Sequence, residues 1–193
     1  MPTERLSRNA QVLRYLLEVA PGIGHTKLLK FAYLADLEGR RHLGRPISEF
    51  CYVRFDHGPF DKAFYSAKAE LLGSGLATDE TVLVGSYEAH SLRPTQVAVE
   101  YDFSVAEAEV LSFVAGTYLD QSAAQLCEDV VYQTPPMKGA TVGEELNMDQ
   151  VNKLTDDPLG FTVERMLAGE ESGRAGRTRP MRDVLNELRA RYH

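Results

Sequence analysis

TKLLKFAYLADLEGRRHLGRPISEFCYVRFDHGPFDKAFYSAKAELLGSGLA, residues 26–77, is the stretch that decides the fold of this 193-residue chain. Its first part predicts a helix, because apolar side chains recur at helical spacing. The helix should end at Gly44, where Pro46 follows closely. The apolar stripe consists of Leu28, Phe31, Ala32, Ala35 and Leu37.

The second part of this stretch predicts a strand, a turn and another helix. Residues 51–56 alternate between apolar and polar, which predicts a half-buried strand with Cys51, Val53 and Phe55 on its buried face. The His57-Gly58-Pro59 triplet should break that strand, since glycine permits a positive φ and proline can open a helix. The second helix should end at Gly73 and bury Phe60, Phe64, Ala67 and Leu71.

This order of residues resembles the Panacea domain, the family of SocA-like antitoxins from bacterial and phage toxin–antitoxin systems. The matching residues are Lys27-Leu28-Leu29, Tyr33-Leu34-Ala35-Asp36, Gly44-Arg45-Pro46-Ile47, Phe55, His57-Gly58-Pro59, Phe64, Tyr65 and Gly75-Leu76. The resemblance continues weakly to about Val151. It implies a protein that neutralises a cognate toxin by direct contact, and some relatives act as adaptors that deliver the toxin to a protease.

Composition is consistent with a protein that binds other proteins. The net charge is −7, with 44% hydrophobic and 25% charged residues, and no apolar run is long enough to span a membrane. Residues 174–193 carry six arginines against two acidic residues, a balance of +4, so the other 173 residues sum to −11. An acidic body disfavours nucleic acid and suits a basic protein partner. Two cysteines, Cys51 and Cys127, both predicted on apolar faces, favour a cytoplasmic location.

The rest of the chain predicts a mainly helical α+β domain with a small antiparallel sheet of about three strands. A helix over about residues 4–20 precedes the central stretch, and Gly85-Ser86 joins a β-hairpin over residues 81–92. We expect residues 51–56 to supply the third strand. A winged-helix-like corner is the structural alternative, with His25–Leu43 as its candidate recognition helix.

The second half predicts further helices. Ser104 and Ser122 each begin a capping-box pattern, and Pro135-Pro136 should end the helix that Ser122 opens. Short helices are expected over residues 148–154 and 157–168. The expected organisation is an antitoxin domain over residues 1–168, a flexible linker over 169–179 and an amphipathic C-terminal helix over 180–193.

The sequence contains no pattern typical of a catalytic, cofactor or metal site. The five histidines are scattered, and no phosphate-binding glycine loop or nucleophile elbow occurs. His57 is better interpreted as a turn residue than as a general base. Asp36 with Arg40, and Glu38 with His42, are interpreted as solvated charge pairs on a helix surface. We therefore expect neither catalysis nor a cofactor.

The candidate family-motif or partner-contact residues are Tyr33, Asp36, Phe55, His57, Gly58, Pro59 and Tyr65, with Arg182, Leu185 and Leu188 of the last helix. Core or rim packing accounts better for Tyr33, Tyr52 and Tyr65 than an aromatic contact patch does, and the patch is the alternative. The expected partners are a toxin and, in the adaptor mode, a protease; nucleic acid is disfavoured, no membrane contact is expected, and a homo-oligomer is left open. The alternative function is a winged-helix-like DNA-binding regulator.

Overall fold

The computed structural model describes residues 5–84 and 87–151. This part of the chain is mainly helical α+β, as predicted. The helices are α1 (Arg8–Val19), α2 (His25–Leu43), α3 (Ala63–Gly73), α4 (Val105–Tyr118), α5 (Ala123–Asp129) and α6 (Pro135–Gly139). The strands are β1 (Ile23–Gly24), β2 (Val53–Phe55), β3 (Gly58–Phe60), β4 (Ala77–Val84) and β5 (Tyr87–Pro94). Short 3-10 turns cover Val131–Gln133 and Met148–Gln150.

Helix α2 is the centre of the fold. Of its 19 residues, 13 are buried, because α1, α4 and α5 pack around it. The helix ends where the sequence predicted, at Gly44, whose φ of 76° is the left-handed conformation that glycine adopts without strain. A helix so enclosed positions other elements and exposes little of its own surface, so it cannot serve as a recognition helix.

The three-stranded sheet has the order β1-β5-β4 and is antiparallel. The predicted hairpin forms, with Ala77 opposite Pro94 and Val84 opposite Tyr87. Its third strand is β1, which pairs Ile23 with Leu92, and not residues 51–56 as expected. Two residues between α1 and α2 show no strand alternation, which is why the sequence missed them. The element order, with α3 leading into the β4–β5 hairpin, is that of a winged-helix-like corner.

Residues 51–60 differ most from the prediction. Strand β2 pairs with β3 in a separate two-stranded sheet, with Phe55 opposite Gly58. Pro59 therefore lies in a strand instead of opening a helix, and α3 begins only at Ala63. The predicted faces are also reversed: Tyr52 is buried, while Cys51 and Phe55 are exposed. Tyr52 points inwards because its hydroxyl hydrogen-bonds a buried carboxylate, which alternation alone does not reveal.

In the second half, both capping boxes form, at Ser104 with Glu107 and at Ser122 with Gln125. Pro135 does not end a helix but occupies the first turn of α6. The helix predicted from Met148 is a single 3-10 turn, capped by the Asn147 side chain. The predicted helix at 157–168, the linker at 169–179 and the helix at 180–193 lie outside the described residues. In the described part, no helix is both long and apolar enough to cross a membrane.

Candidate functional site

A buried polar cluster surrounds Asp36 on α2. Asp36 is 1% exposed and accepts hydrogen bonds from the backbone amides of Ile47 (2.8 Å) and Ser48 (2.7 Å), from the Ser48 hydroxyl and from the Tyr52 hydroxyl (2.7 Å). Burial raises the pKa of Asp36, and these donors oppose that rise. The interpretation of Asp36 as a solvated partner of Arg40 is therefore wrong. Asp36 fixes the chain that leads from α2 to β2.

The other predicted solvated pair is also buried. Glu38 is 5% and His42 is 7% exposed, and the Glu38 carboxylate lies 3.3 Å from His42 Nε2 and 2.6 Å from Arg41 Nη1. Tyr33 is fully buried as well, and its hydroxyl is 2.7 Å from Thr134 Oγ1. Tyr33 and Asp36 are therefore buried and support the fold, while their role in partner contact stays a prediction.

The β2–β3 turn is attached to the helical body by its backbone carbonyls. Lys30 Nζ donates to the carbonyl of His57 at 2.5 Å, and the Tyr132 hydroxyl donates to that of Asp56 at 2.8 Å. Gly58 has a φ of 108°, and a Cβ there would lie 3.2 Å from Cys127 Sγ. Only a glycine lets the turn approach the body this closely. The turn is therefore held rigidly at the surface.

Between this hairpin and α3 lies a pocket of about 220 Å³, which we call the aromatic groove. Phe55 and Tyr65 on its rim are 51% and 58% exposed. The rings of Phe55, Phe60, Tyr65 and Phe64 follow one another with centroids 5.6–6.1 Å apart. The groove is lined by His25, Thr26, Leu29, Phe55, His57, Gly58, Pro59, Phe60, Phe64 and Tyr65.

A charged cluster lies beside the groove and connects α2, α3, β4 and β5. The Asp79 carboxylate forms an ion pair with Lys68 Nζ at 2.5 Å. It also lies 3.3 Å from His25 Nε2 and 3.6 Å from His90 Nδ1. The two imidazoles stack, with centroids 5.4 Å apart. Burial and Lys68 hold the pKa of His25 below its ordinary 6.5, against the attraction of Asp79. Burial raises the pKa of Asp79, but its cationic neighbours outweigh that and hold it below its ordinary value.

The exposed side chains of the groove are suited to contact with another molecule. His57 is exposed, and no described side chain forms a hydrogen bond or ion pair with its imidazole. Within residues 5–84 and 87–151, no group of three His, Cys, Asp or Glu side chains is placed to hold a metal ion. Exposed aromatic side chains fixed on rigid elements are typical of protein-binding surfaces.

The face of α3 is also unlike a DNA-reading surface. Its exposed residues include Tyr65, Ser66 and Ala69, and its one basic residue, Lys68, is paired with Asp79. On the hairpin, Arg93 is paired with Glu80 at 2.7 Å. Phosphate binding requires available cations, and α3 offers none along its length; the exposed Lys62 at its N-cap is the nearest.

Five predicted contact residues therefore come together around the groove: Phe55, His57, Gly58, Pro59 and Tyr65. Arg182, Leu185 and Leu188 lie outside the described residues and remain predictions. Sequence reasoning missed His25, Thr26 and Leu29 at the start of α2 and placed Phe60 on a helix. No local sequence pattern marks the three α2 residues, because tertiary packing alone brings the start of α2 against the hairpin.

The described residues thus form a mainly helical α+β fold with a winged-helix-like corner, and a groove beside α3 is lined by aromatic side chains. The family described as "Antitoxin SocA-like, Panacea domain" matches residues 28–134, which is more than half of the chain. The chain belongs to this family, as its sequence indicated. The match ends at Thr134, short of Val151, and covers every groove residue except His25 and Thr26. No curated protein and no solved structure was found to match the chain.

Proposed function

We propose that this protein is a cytoplasmic antitoxin of a bacterium or phage, which neutralises a cognate toxin by direct protein–protein binding and not by catalysis. The observation that carries the proposal is the family match over residues 28–134. That range contains α2 from Leu28 onwards, the β2–β3 hairpin and α3, and these three elements build the aromatic groove.

The geometry supports binding in physical terms. A stable complex buries about 1,600 Å² in total, and a few aromatic residues usually dominate its affinity. Phe55 and Tyr65 have the exposure and the rigid support that such residues need. The acidic sequence, with a net charge of −7, suits a basic partner.

The test is expression of the product of the adjacent gene, alone and together with this chain. We expect the adjacent product to arrest growth alone, the pair to grow normally, and the two proteins to copurify as a complex. If the adjacent product is harmless and does not bind, the antitoxin proposal fails.

The same experiment separates inhibition from delivery to a protease. Direct inhibition predicts that the toxin persists in the rescued cells at an unchanged half-life. The adaptor mode predicts that toxin half-life falls when this chain is present and recovers when the protease is deleted. Following the toxin by immunoblot after translation is blocked distinguishes the two.

The alternative is a DNA-binding regulator, which the winged-helix-like strand order β1-β5-β4 favours. The neutral exposed face of α3 and the paired state of Lys68 and Arg93 oppose it. A gel shift at low salt with the DNA upstream of the gene tests it. We expect no shift, and a sequence-specific shift would favour the regulator.

A further inference from the structure

The aromatic groove continues into a second pocket of different character. That pocket has a volume of about 250 Å³ and shares Thr26 and His57 with the groove. It lies between the β2–β3 turn and α5. Its remaining lining residues are Lys30, Asp56, Ala123, Ala124, Cys127, Glu128 and Tyr132.

The charge that this second pocket presents to solvent is negative. Asp56 and Glu128 are exposed, and no ion pair joins either carboxylate to another described residue. The one cation in its lining, Lys30, is 2% exposed and donates to the carbonyl of His57. Lys30 therefore holds the turn, while the two carboxylates are available to a partner.

We propose that the two pockets form one docking site for a toxin segment that carries a large apolar side chain beside a lysine or arginine. The apolar side chain enters the aromatic groove between Phe55 and Tyr65. The cationic side chain extends to Asp56 and Glu128. This inference rests on the proposed antitoxin function and deepens it by assigning the contact face and the chemistry of the bound segment.

Size and charge support this occupant. A volume of about 220 Å³ accommodates one large side chain, so the groove is an anchor within a wider interface. A toxin cation that approaches Asp56 and Glu128 gains two carboxylates without breaking an ion pair between described residues. An acidic segment would instead be repelled by both carboxylates.

The experiment measures the affinity of the adjacent gene product for the full-length chain by calorimetry. Tyr65→Ser and Phe55→Ser remove the rim of the groove, and Val97→Ser is the control, since Val97 is 52% exposed and outside both pockets. We expect the two groove variants to weaken binding by about thirtyfold or more, the loss typical of an interface hot spot. The control should stay within about twofold.

The contribution of the two carboxylates is tested with the double variant Asp56→Asn with Glu128→Gln. Asp129→Asn is the control for this double variant. Asp129 is the exposed neighbour of Glu128 and lines neither pocket. We expect the double variant to weaken binding by about tenfold and to flatten its salt dependence, while the control changes neither. Unfolding curves of every variant check that the fold is retained.

Each outcome decides between the two proposals. If the wild type binds the toxin and every groove variant binds equally well, the docking site is wrong and the antitoxin function stands. Tighter binding by Tyr65→Ser would show that another part of the chain covers the groove, and a change only in self-association would show a second copy there; either overturns the inference. If the wild type does not bind, both proposals fall.

Discussion

Asp36, a residue of the predicted family motif, lies in the core of the protein. Its carboxylate satisfies two backbone amides and two hydroxyls in a site from which water is excluded. Those contacts determine where the chain runs after Gly44 and turn Tyr52 inwards. Tyr33 packs edge-on against Tyr52 with ring centroids 5.2 Å apart, so the same cluster extends one turn back along α2. At the scale of single residues, Asp36 and Tyr33 therefore stabilise the fold.

Replacing Asp36 by alanine should therefore destabilise the fold. The substitution leaves the amides of Ile47 and Ser48 and the Tyr52 hydroxyl buried without an acceptor, so we expect the free energy of unfolding to fall by about 2–4 kcal/mol. Urea unfolding followed by circular dichroism measures it. Asp129→Ala, at an exposed position, is the control and should change stability by less than about 0.5 kcal/mol. Equal stabilities for the two variants would contradict the structural role of Asp36.

At the scale of elements, the β2–β3 hairpin is the feature that creates the groove. A three-residue strand pair is marginal alone, and it is held here from both sides. Lys30 and Tyr132 hold its turn, while backbone hydrogen bonds join Arg54 to Gly143 and Glu144 at 2.8 Å each. The hairpin can therefore present Phe55 outwards, where the ring is only partly covered by Phe60.

Gly58→Ala tests this attachment, with Gly44→Ala as a matched control. Both glycines have positive φ, but a Cβ at residue 44 meets nothing within 4 Å, whereas one at residue 58 meets Cys127 and Lys30 at 3.2–3.3 Å. We expect Gly44→Ala to cost about 1–2 kcal/mol from backbone strain alone. Gly58→Ala should cost about 2–4 kcal/mol, because its φ of 108° strains alanine more than that of Gly44 and because overpacking adds to the strain. Thermal and urea unfolding measure both, and an equal loss would show that the turn is not closely packed.

At the scale of the whole molecule, the sheet is joined to the helices by the cluster of His25, Lys68, Asp79 and His90. Lys68, His25 and His90 all lie against the single carboxylate of Asp79, so a proton on His25 would add a second positive charge beside Lys68. The pKa of His25 is held below 6.5 by burial and by Lys68. The folded state therefore binds a proton at His25 less readily than the unfolded state does.

Stability should consequently fall as the pH drops. Above pH 6.5 the imidazole of His25 is neutral in both states; below it, the unfolded chain takes up the proton first. We expect the free energy of unfolding to decline as the pH falls through 6.5 towards the lower pKa of the folded state. Urea unfolding between pH 7.5 and 5.5 measures it, and His25→Gln should decline less steeply. Parallel curves for wild type and variant would contradict the assignment.

Much of the fold follows from local patterns that the sequence contains. The helical stripe ending at Gly44, the two capping boxes and the Gly85-Ser86 hairpin each depend on neighbours a few residues apart. The errors occur where a distant residue decides the outcome. Cys51, Tyr52 and Phe55 alternate correctly but face the other way, because Asp36 binds Tyr52 from 16 residues away. Pro59 lies in a strand since β2 provides a partner for it.

The family and the mainly helical α+β class were determined by the sequence alone, which also predicted Phe55, His57 and Tyr65 as contact residues. Only the tertiary structure decided that these residues share one groove, that Tyr33 and Asp36 are buried in the core, and that Lys68, the basic residue of α3, is paired with Asp79. The physical reason is the range of the interactions. Helix periodicity, caps and turns depend on residues that are close in sequence. A binding surface is made by side chains from separate elements, which meet only after the core has packed.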